Sequence, residues 1–281
     1  MRISLIVCTR NRADQLRHCL DHLAALDYPH EWELVIVDNG STDATPTIAA
    51  DFAARANFPV VCVHEPRPGL SNARNRGIAA SRGAILMFTD DDCYVATDLL
   101  RATEAIFADP AIGFASGRIL LHDPTDYAAT INESVMPHLF PPRRRLWTGA
   151  IAGANLAIRR AALEAVGDFD PLLGAGAPLK SAEDTDMAMR LSLAGWAGRY
   201  SPEMVVSHHH GRKAEDIAGL HRGYDLGRGA YHAKLFFQRG GRLPALKAWA
   251  GITRRMRARR SALRWECQGA LHYMALRCLR S

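Results

Sequence analysis

The first 121 residues alternate between two hydrophobic periodicities. Short apolar runs at 2–8, 32–37, 60–64 and 84–89 read as strands, the last of them buried on both faces. Between them, 12–25, 42–56, 71–80 and 97–108 place apolar residues at helical spacing behind turn and capping residues. A βαβα series of this kind predicts a mainly parallel sheet with helices on both faces. After one more strand-like run at 112–121 the alternation breaks. Residues 123–147 contain Pro124, Pro137, Pro141, Pro142 and the run Arg143-Arg144-Arg145. They predict a long loop region of the kind that carries function in a compact domain. A helix near Glu183 and a strand-like stretch at 204–207 follow. The expected organisation is one α/β domain at 1–211, with halves at 1–121 and 122–211, and a basic helical C-terminal extension at 212–281.

Open α/β sheets bind ligands outside the carboxyl ends of their strands, so those ends are where chemistry gathers. The fourth strand runs straight into Asp90-Asp91-Asp92. Clustered carboxylates suit a hard divalent cation, which in turn holds phosphates. The same three residues also fit a solvated acidic turn before a helix that Thr97 and Asp98 can cap. If the extended geometry persists, Asp90 and Asp92 point one way and Asp91 the other. The second strand ends at Asp38, followed by the tight-turn pair Asn39-Gly40 and the capping residues Ser41, Thr42 and Asp43. Asp38 can accept a hydrogen bond from a nucleobase or bond the backbone of its own turn. The first strand ends in Cys8-Thr9-Arg10-Asn11-Arg12, whose donors can meet a base or a phosphate.

In the second half, Asp184 shares a helical stripe with Met187, Ala188 and Leu191, while Glu183 shares a side with Asp186 and Arg190. Asp186 with Arg190 reads as a structural ion pair. Ser181 to Asp184 also fits a capping box. The glycine-bearing segment from Gly149 to Asn155 either lets backbone approach a ligand or makes a tight turn into a strand. It lacks the spacing of a dinucleotide fingerprint.

Composition supports an ordinary enzyme with ample core, since 281 residues are 48% hydrophobic. Cys8, Cys19, Cys62, Cys93, Cys267 and Cys278 are widely scattered without a C-x-x-C pair, as expected of a reducing, cytoplasmic setting. No cleavable leader and no spanning stretch are expected. The net charge of +6 is concentrated: residues 226–265 hold 11 Lys and Arg and no acid, leaving 24 basic against 29 acidic residues elsewhere. That pattern excludes a generally basic, nucleic-acid-coating protein. Within the arm, Trp249, Ile252, Met256 and Leu263 fall near one helical stripe, with Arg254, Arg255, Arg257, Arg259 and Arg260 on the other faces. The arrangement predicts either an interfacial helix on an anionic membrane or a helix packed on its own domain.

Five segments in this order resemble the family 2 glycosyltransferases of the GT-A fold. They are Ser4 to Arg12, Val37 to Asp43, Gly69-Leu70-Ser71-Asn72-Ala73-Arg74-Asn75-Arg76-Gly77, Phe88 to Asp92, and Glu183-Asp184-Thr185-Asp186. The resemblance implies an inverting, Mn²⁺- or Mg²⁺-dependent transfer of a sugar from a nucleoside diphosphate sugar, a uridine diphosphate sugar by preference, to an acceptor hydroxyl. It implies a donor site at Thr9, Arg10, Arg12, Asp38, Arg74, Asp90 and Asp91. The metal site implied is Asp92 and Asp90 with His208, the first of three consecutive histidines; imidazole is acceptable to Mn²⁺. Asp184 is implied as the base, and Trp147, Gly153, Asn155 and Glu183 lie toward the sugar or acceptor. A glycan or a lipid-linked acceptor, and a cytoplasmic enzyme peripheral to the inner membrane face, complete the expectation. The alternative is a noncatalytic nucleotide-sugar or glycan binder that retains the fold.

Overall fold

The computed structural model of the chain describes residues 2–147, 149–238, 240–247 and 260–279. Its centre is a nine-stranded sheet. The N-terminal half supplies β1 (Ile3–Thr9), β2 (Trp32–Asp38), β3 (Val60–His64) and β4 (Ile85–Asp90) in the order β3-β2-β1-β4, all parallel. Helices α1 (Ala13–Ala24), α2 (Thr45–Arg55) and α3 (Leu70–Ala80) make the crossovers. β4, predicted as a strand buried on both faces, is buried up to Asp90, as are every residue of β2 and all of β1 except Cys8, whereas β3 at the sheet edge is only partly buried.

Beyond β4 the sheet changes character. The short β5 (Cys93–Val95), α4 (Leu99–Phe107), β6 (Ile112–Leu121) and β7 (His138–Phe140) come next in the chain. They precede β8 (Leu156–Arg159), α5 (Arg160–Val166), α6 (Glu183–Leu193) and β9 (Ala197–His208). β8 inserts antiparallel between β4 and β6, β9 runs parallel to β6, and β5 and β7 pair antiparallel with β9. The expected parallel sheet therefore holds for the first four strands and becomes mixed after them. Residues 123–147 are mostly irregular, as expected, with β7 embedded in them.

Two apolar clusters cover the two faces of the sheet. Leu16, Leu20 and Leu23 of α1 and Leu99, Ile106 and Phe107 of α4 pack on one side, and Ile78 of α3 with Met187 and Leu191 of α6 on the other. α3 approaches the sheet closely at Gly77, where a Cβ would lie 2.6 Å from Ile6 Cγ2. The helical C-terminal part consists chiefly of α7 (Ile217–Phe237) and α8 (Arg260–Cys278). They meet backbone to backbone: a Cβ on Gly229 would lie 1.9 Å from the Glu266 carbonyl, and one on Gly269 equally close to that of Leu226. Ala230, Ala233, Ala270 and Tyr273 then join Leu172, Leu173 and Leu179 of the sheet domain in a third cluster. Of the predicted interfacial stripe, Trp249, Ile252 and Met256 lie outside the described residues, as do Arg254, Arg255, Arg257 and Arg259. No described helix is long and apolar enough to cross a membrane.

Candidate active site

The parallel register builds one wall of the site. Thr9 lies opposite Asp38 and Cys8 opposite Asp90, so the ends of β2, β1 and β4 form a row at the carboxyl edge of the sheet. Asp90 is the last residue of β4, and Asp91 and Asp92 form the turn into β5. The pairing of β5 with β9 sets Cys93 against His208 and so carries the imidazole to Asp92, with Nε2 3.2 Å from Oδ1. His208 Nδ1 lies 3.3 Å from the Thr130 hydroxyl, and the His209 amide donates to the Asp92 carbonyl at 2.8 Å. Asp90, Asp92, Cys93 and His208 each present one donor atom, all within 4.8 Å of one another.

These donors fit a divalent cation. Two carboxylates and an imidazole are the oxygen-rich set that Mn²⁺ accepts. The Cys93 thiol is a poor fourth member, because burial and the neighbouring Asp90 and Asp92 charges hold it protonated. Arg12 braces the turn from outside, with Nη2 2.6 Å from Asp92 Oδ2 and Nε 3.2 Å from Asp91 Oδ1. Burial pushes the Asp91 carboxyl up to about 7 against the pull of Arg12, and burial likewise raises Asp90. For Asp92, the cost of burial is outweighed by the hydrogen bond and charge of His208 and the charge of Arg12, and its carboxyl sits low.

The second wall is the start of α6. Ser181 to Asp184 do not form the anticipated capping box. Ala182 occupies the cap position in the left-handed region, at φ 76°, and Ser181 Oγ donates instead to the Gly223 carbonyl of α7. A left-handed alanine is sterically costly, and here it sits two residues from a cleft carboxylate. Asp184 Oδ2 accepts from the Gly153 amide at 3.0 Å and Oδ1 from the Thr185 amide at 2.6 Å. Glu183 turns inward and accepts from Arg74 Nη1 at 2.9 Å, while Arg74 Nη2 lies 3.5 Å from Asp90. Arg74 is 2% exposed, between the rings of Phe88 and Phe169, and a Cβ on Gly153 would lie 2.4 Å from its Nη2. Only glycine fits there. Burial and the adjacent Asp184 charge push Glu183 up to about 7. Asp186 and Arg190 form the structural ion pair expected, at 3.0 Å, which Lys234 of α7 completes at 2.7 Å.

Both walls line one cleft of about 550 Å³. It contains Arg12, Arg74, Asp90, Asp91, Asp92, His208, Gly153, Glu183 and Asp184 of the residues anticipated. Others lie elsewhere. Asp38 stands along the strand-end row with one oxygen bonded by the Ser41 amide and the other 2.9 Å from His64 Nδ1. Thr9 is buried beside it and Arg10 is exposed. Asn155 is fully buried, and its side-chain amide ties the Arg118 and Met204 carbonyls together where β6 and β9 slip register. Trp147 is half exposed against His138 and Phe140, outside the cleft lining. The sequence reading missed Lys180, Arg212, Tyr224 and Arg228, which also line the cleft. Tyr224 and Arg228 belong to α7, and burial helps raise the Tyr224 phenol to about 12, with Asp184, Glu183 and Asp90 adding to it. The only local signal available was the position of Lys180 and Arg212 beside the two motifs.

Comparisons with known proteins agree with this architecture. A glycosyltransferase of Haloferax volcanii, AglE, is 25% identical over 207 residues, covering 73% of this chain and 66% of that protein. The putative glycosyltransferase EpsH of Bacillus subtilis is 30% identical over 200 residues, 67% of this chain and 55% of its own. The chain thus spans between about half and two thirds of these relatives. Among solved structures, the mannosyltransferase PcManGT from Pyrobaculum calidifontis, in complex with GDP-Man and Mn²⁺, superposes over 100% of this chain and 76% of its own. The TM-score is 0.68 at 22% identity. TarS of S. aureus in complex with UDP-GlcNAc gives 0.62 at 19% identity over 84% of this chain and 67% of that one. The family model for Glycosyl transferase family 2 matches residues 4–167, across the strand-end row, the acidic turn and Gly153, and the chain belongs to that family.

Proposed function

We propose that the protein is an inverting, metal-dependent glycosyltransferase that moves a sugar from a nucleoside diphosphate sugar to an acceptor hydroxyl. The observation that carries this reading is the joining of Asp90, Asp92 and His208 with Asp184 in a single cleft. A binding module needs no second carboxylate. Asp90, Asp92 and His208 would hold the divalent ion; when bound, it supplies Lewis-acid stabilisation of the charge that develops on the departing diphosphate. Arg12, partly exposed beside that turn, faces the same negative charge.

Asp184 acts on the other substrate. Its oxygens are fixed by two backbone amides and the Thr185 hydroxyl, and among the described residues no cation pairs with them, so a lone pair on Oδ2 remains to receive the acceptor proton. As the acceptor oxygen bonds to the anomeric carbon, the bond to the diphosphate breaks on the opposite face and the configuration inverts. Glu183 does not compete for that role, because Arg74 holds it. A uridine diphosphate sugar is the first donor to test. The GDP-Man and UDP-GlcNAc complexes of the two structural neighbours make guanosine diphosphate sugars the natural comparison. The acceptor is a glycan or a lipid-linked molecule, met by an enzyme at the inner membrane face.

A screen of nucleotide sugars with Mn²⁺, read by thermal shift and by nucleotide release, tests the reading. A cognate donor raises the melting temperature only with metal and is turned over. Donor binding without any release, across acceptors, would leave a noncatalytic binder.

A further inference from the structure

We propose that the groove between α7 and α8 is an acceptor subsite for a phosphate-bearing molecule; the assignment to an acceptor rests on the glycosyl-transfer reading above. The groove has a volume of about 680 Å³. Its lining includes Gly219, Arg222 and Gly223 of α7, Trp265 of α8, and Lys180, Arg212 and Tyr224. The last three also line the catalytic cleft, so the groove adjoins it.

Its charge is one-sided. Lys180 and Arg222 form no ion pair among the described residues, and Arg212 reaches Asp92 through its charge without a salt bridge. Asp216, the one acid in the lining, accepts the Lys213 amide at 2.9 Å and is committed to its own turn. Arg222 is held with its guanidinium 4.9 Å from the Trp265 ring centroid. Such a placement fixes the cation while leaving its N–H edges free to donate. Gly219 keeps the wall open, since a Cβ there meets nothing within 4 Å. Guanidinium and ammonium groups converging without a salt bridge are what a phosphate recognises.

The direction of entry assigns the ligand. A donor diphosphate belongs at the acidic turn, beside Arg12. The groove instead meets the cleft at Lys180, Arg212 and Tyr224, and Lys180 lies in the same segment as Glu183 and the proposed base Asp184, which also line the cleft. A molecule seated there delivers a hydroxyl to Asp184 while its phosphate stays among Lys180, Arg212 and Arg222. Two sources share this chemistry, a soluble sugar phosphate and a lipid phosphate headgroup.

The test uses the full-length protein with its nucleoside diphosphate and Mn²⁺ saturating, so that added phosphate cannot report on the donor site. Binding of glucose 6-phosphate and of glucose is measured by calorimetry. Binding to phosphatidylcholine vesicles with and without phosphatidic acid is measured by sedimentation. One phosphate-bearing probe is expected to bind and its neutral counterpart not to. Arg222→Gln should weaken that binding by about tenfold while nucleotide affinity is unchanged. Arg222→Lys, which keeps the charge, should recover part of it. Preference for glucose 6-phosphate assigns a soluble acceptor, and preference for phosphatidic acid a lipid headgroup. Equal binding of charged and neutral probes, binding of none, or an unaltered Arg222→Gln would overturn the subsite. Charge-dependent binding in a protein that turns over no nucleotide sugar would keep the groove as a phosphate site and sink the transfer reading instead.

Discussion

The acids at the end of β4 and those at the start of α6 line one cleft, yet their surroundings treat them oppositely. At the sheet end, cations reach the carboxylates, Arg12 at Asp91 and Asp92 and Arg74 at Asp90, and the His208 imidazole faces Asp92. At the helix end, Arg74 pairs with Glu183, and Asp184 is held by two backbone amides and the Thr185 hydroxyl. Carboxylates at the sheet end have oxygens engaged by charged partners, whereas Asp184 is held by uncharged donors alone. Adjacent residues of the same charge thus diverge because Arg74, buried between the two groups, selects Asp90 and Glu183 and leaves Asp184 free.

The largest effect should come from the sheet end. Asp92→Ala removes the residue that couples the turn to His208 and should lower Mn²⁺-dependent nucleotide release on the order of 10³-fold. A melting temperature near wild type would show that the loss is chemical. Retained turnover would move the metal elsewhere.

Asp184→Asn should be almost as severe in rate but silent in donor binding. Removal of a general base lowers kcat by roughly 10²–10³-fold. Titration of the donor with Mn²⁺ should give an unchanged dissociation constant, and a parallel loss would make Asp184 part of the donor site.

Arg74→Met tests the link between the two regions. It leaves Glu183 buried beside Asp184 without a counterion, at a cost of about 3–5 kcal/mol in unfolding free energy. Chemical denaturation would register it. The double variant Arg74→Met with Glu183→Gln should regain part of that loss, which separates the ion pair from packing between Phe88 and Phe169.

The smallest effect is a pH dependence. Glu183 and Asp91 are both raised to about 7 in the folded protein, so between the ordinary carboxylate range and pH 7 the folded state holds more protons than the unfolded one. Stability is therefore greatest at the acidic end of that window and declines as pH rises through it. Thermal unfolding in EDTA from pH 5 to 8 should show the decline, and Glu183→Gln should flatten it. A metal-free protein equally stable across the window would contradict the assigned environments.

The sequence by itself determined the parallel half of the sheet, because β1, β2 and β4 are continuous apolar runs that only a doubly covered sheet can bury. It also located the acidic turn and Asp184, whose neighbours along the chain define a strand end and an inward helical stripe. It could not show that β8 enters antiparallel, since a four-residue strand carries no direction in its composition. Its helical pattern set Asp184 inward and Glu183 on the Arg190 side, whereas in the fold Glu183 is the more buried of the two, held by Arg74. That difference depends on Arg74, 109 residues away from Glu183 in the chain, and on the absence of a side chain at Gly153. Asn155 looked like a ligand contact and is a clasp for a slipped register, a property of two strands that lie far apart in sequence. The tertiary structure alone brought Tyr224 and Arg228 to the cleft. Their helix has no motif, and it reaches the site because glycines at 227, 229 and 269 let backbones approach where any side chain would hold them apart.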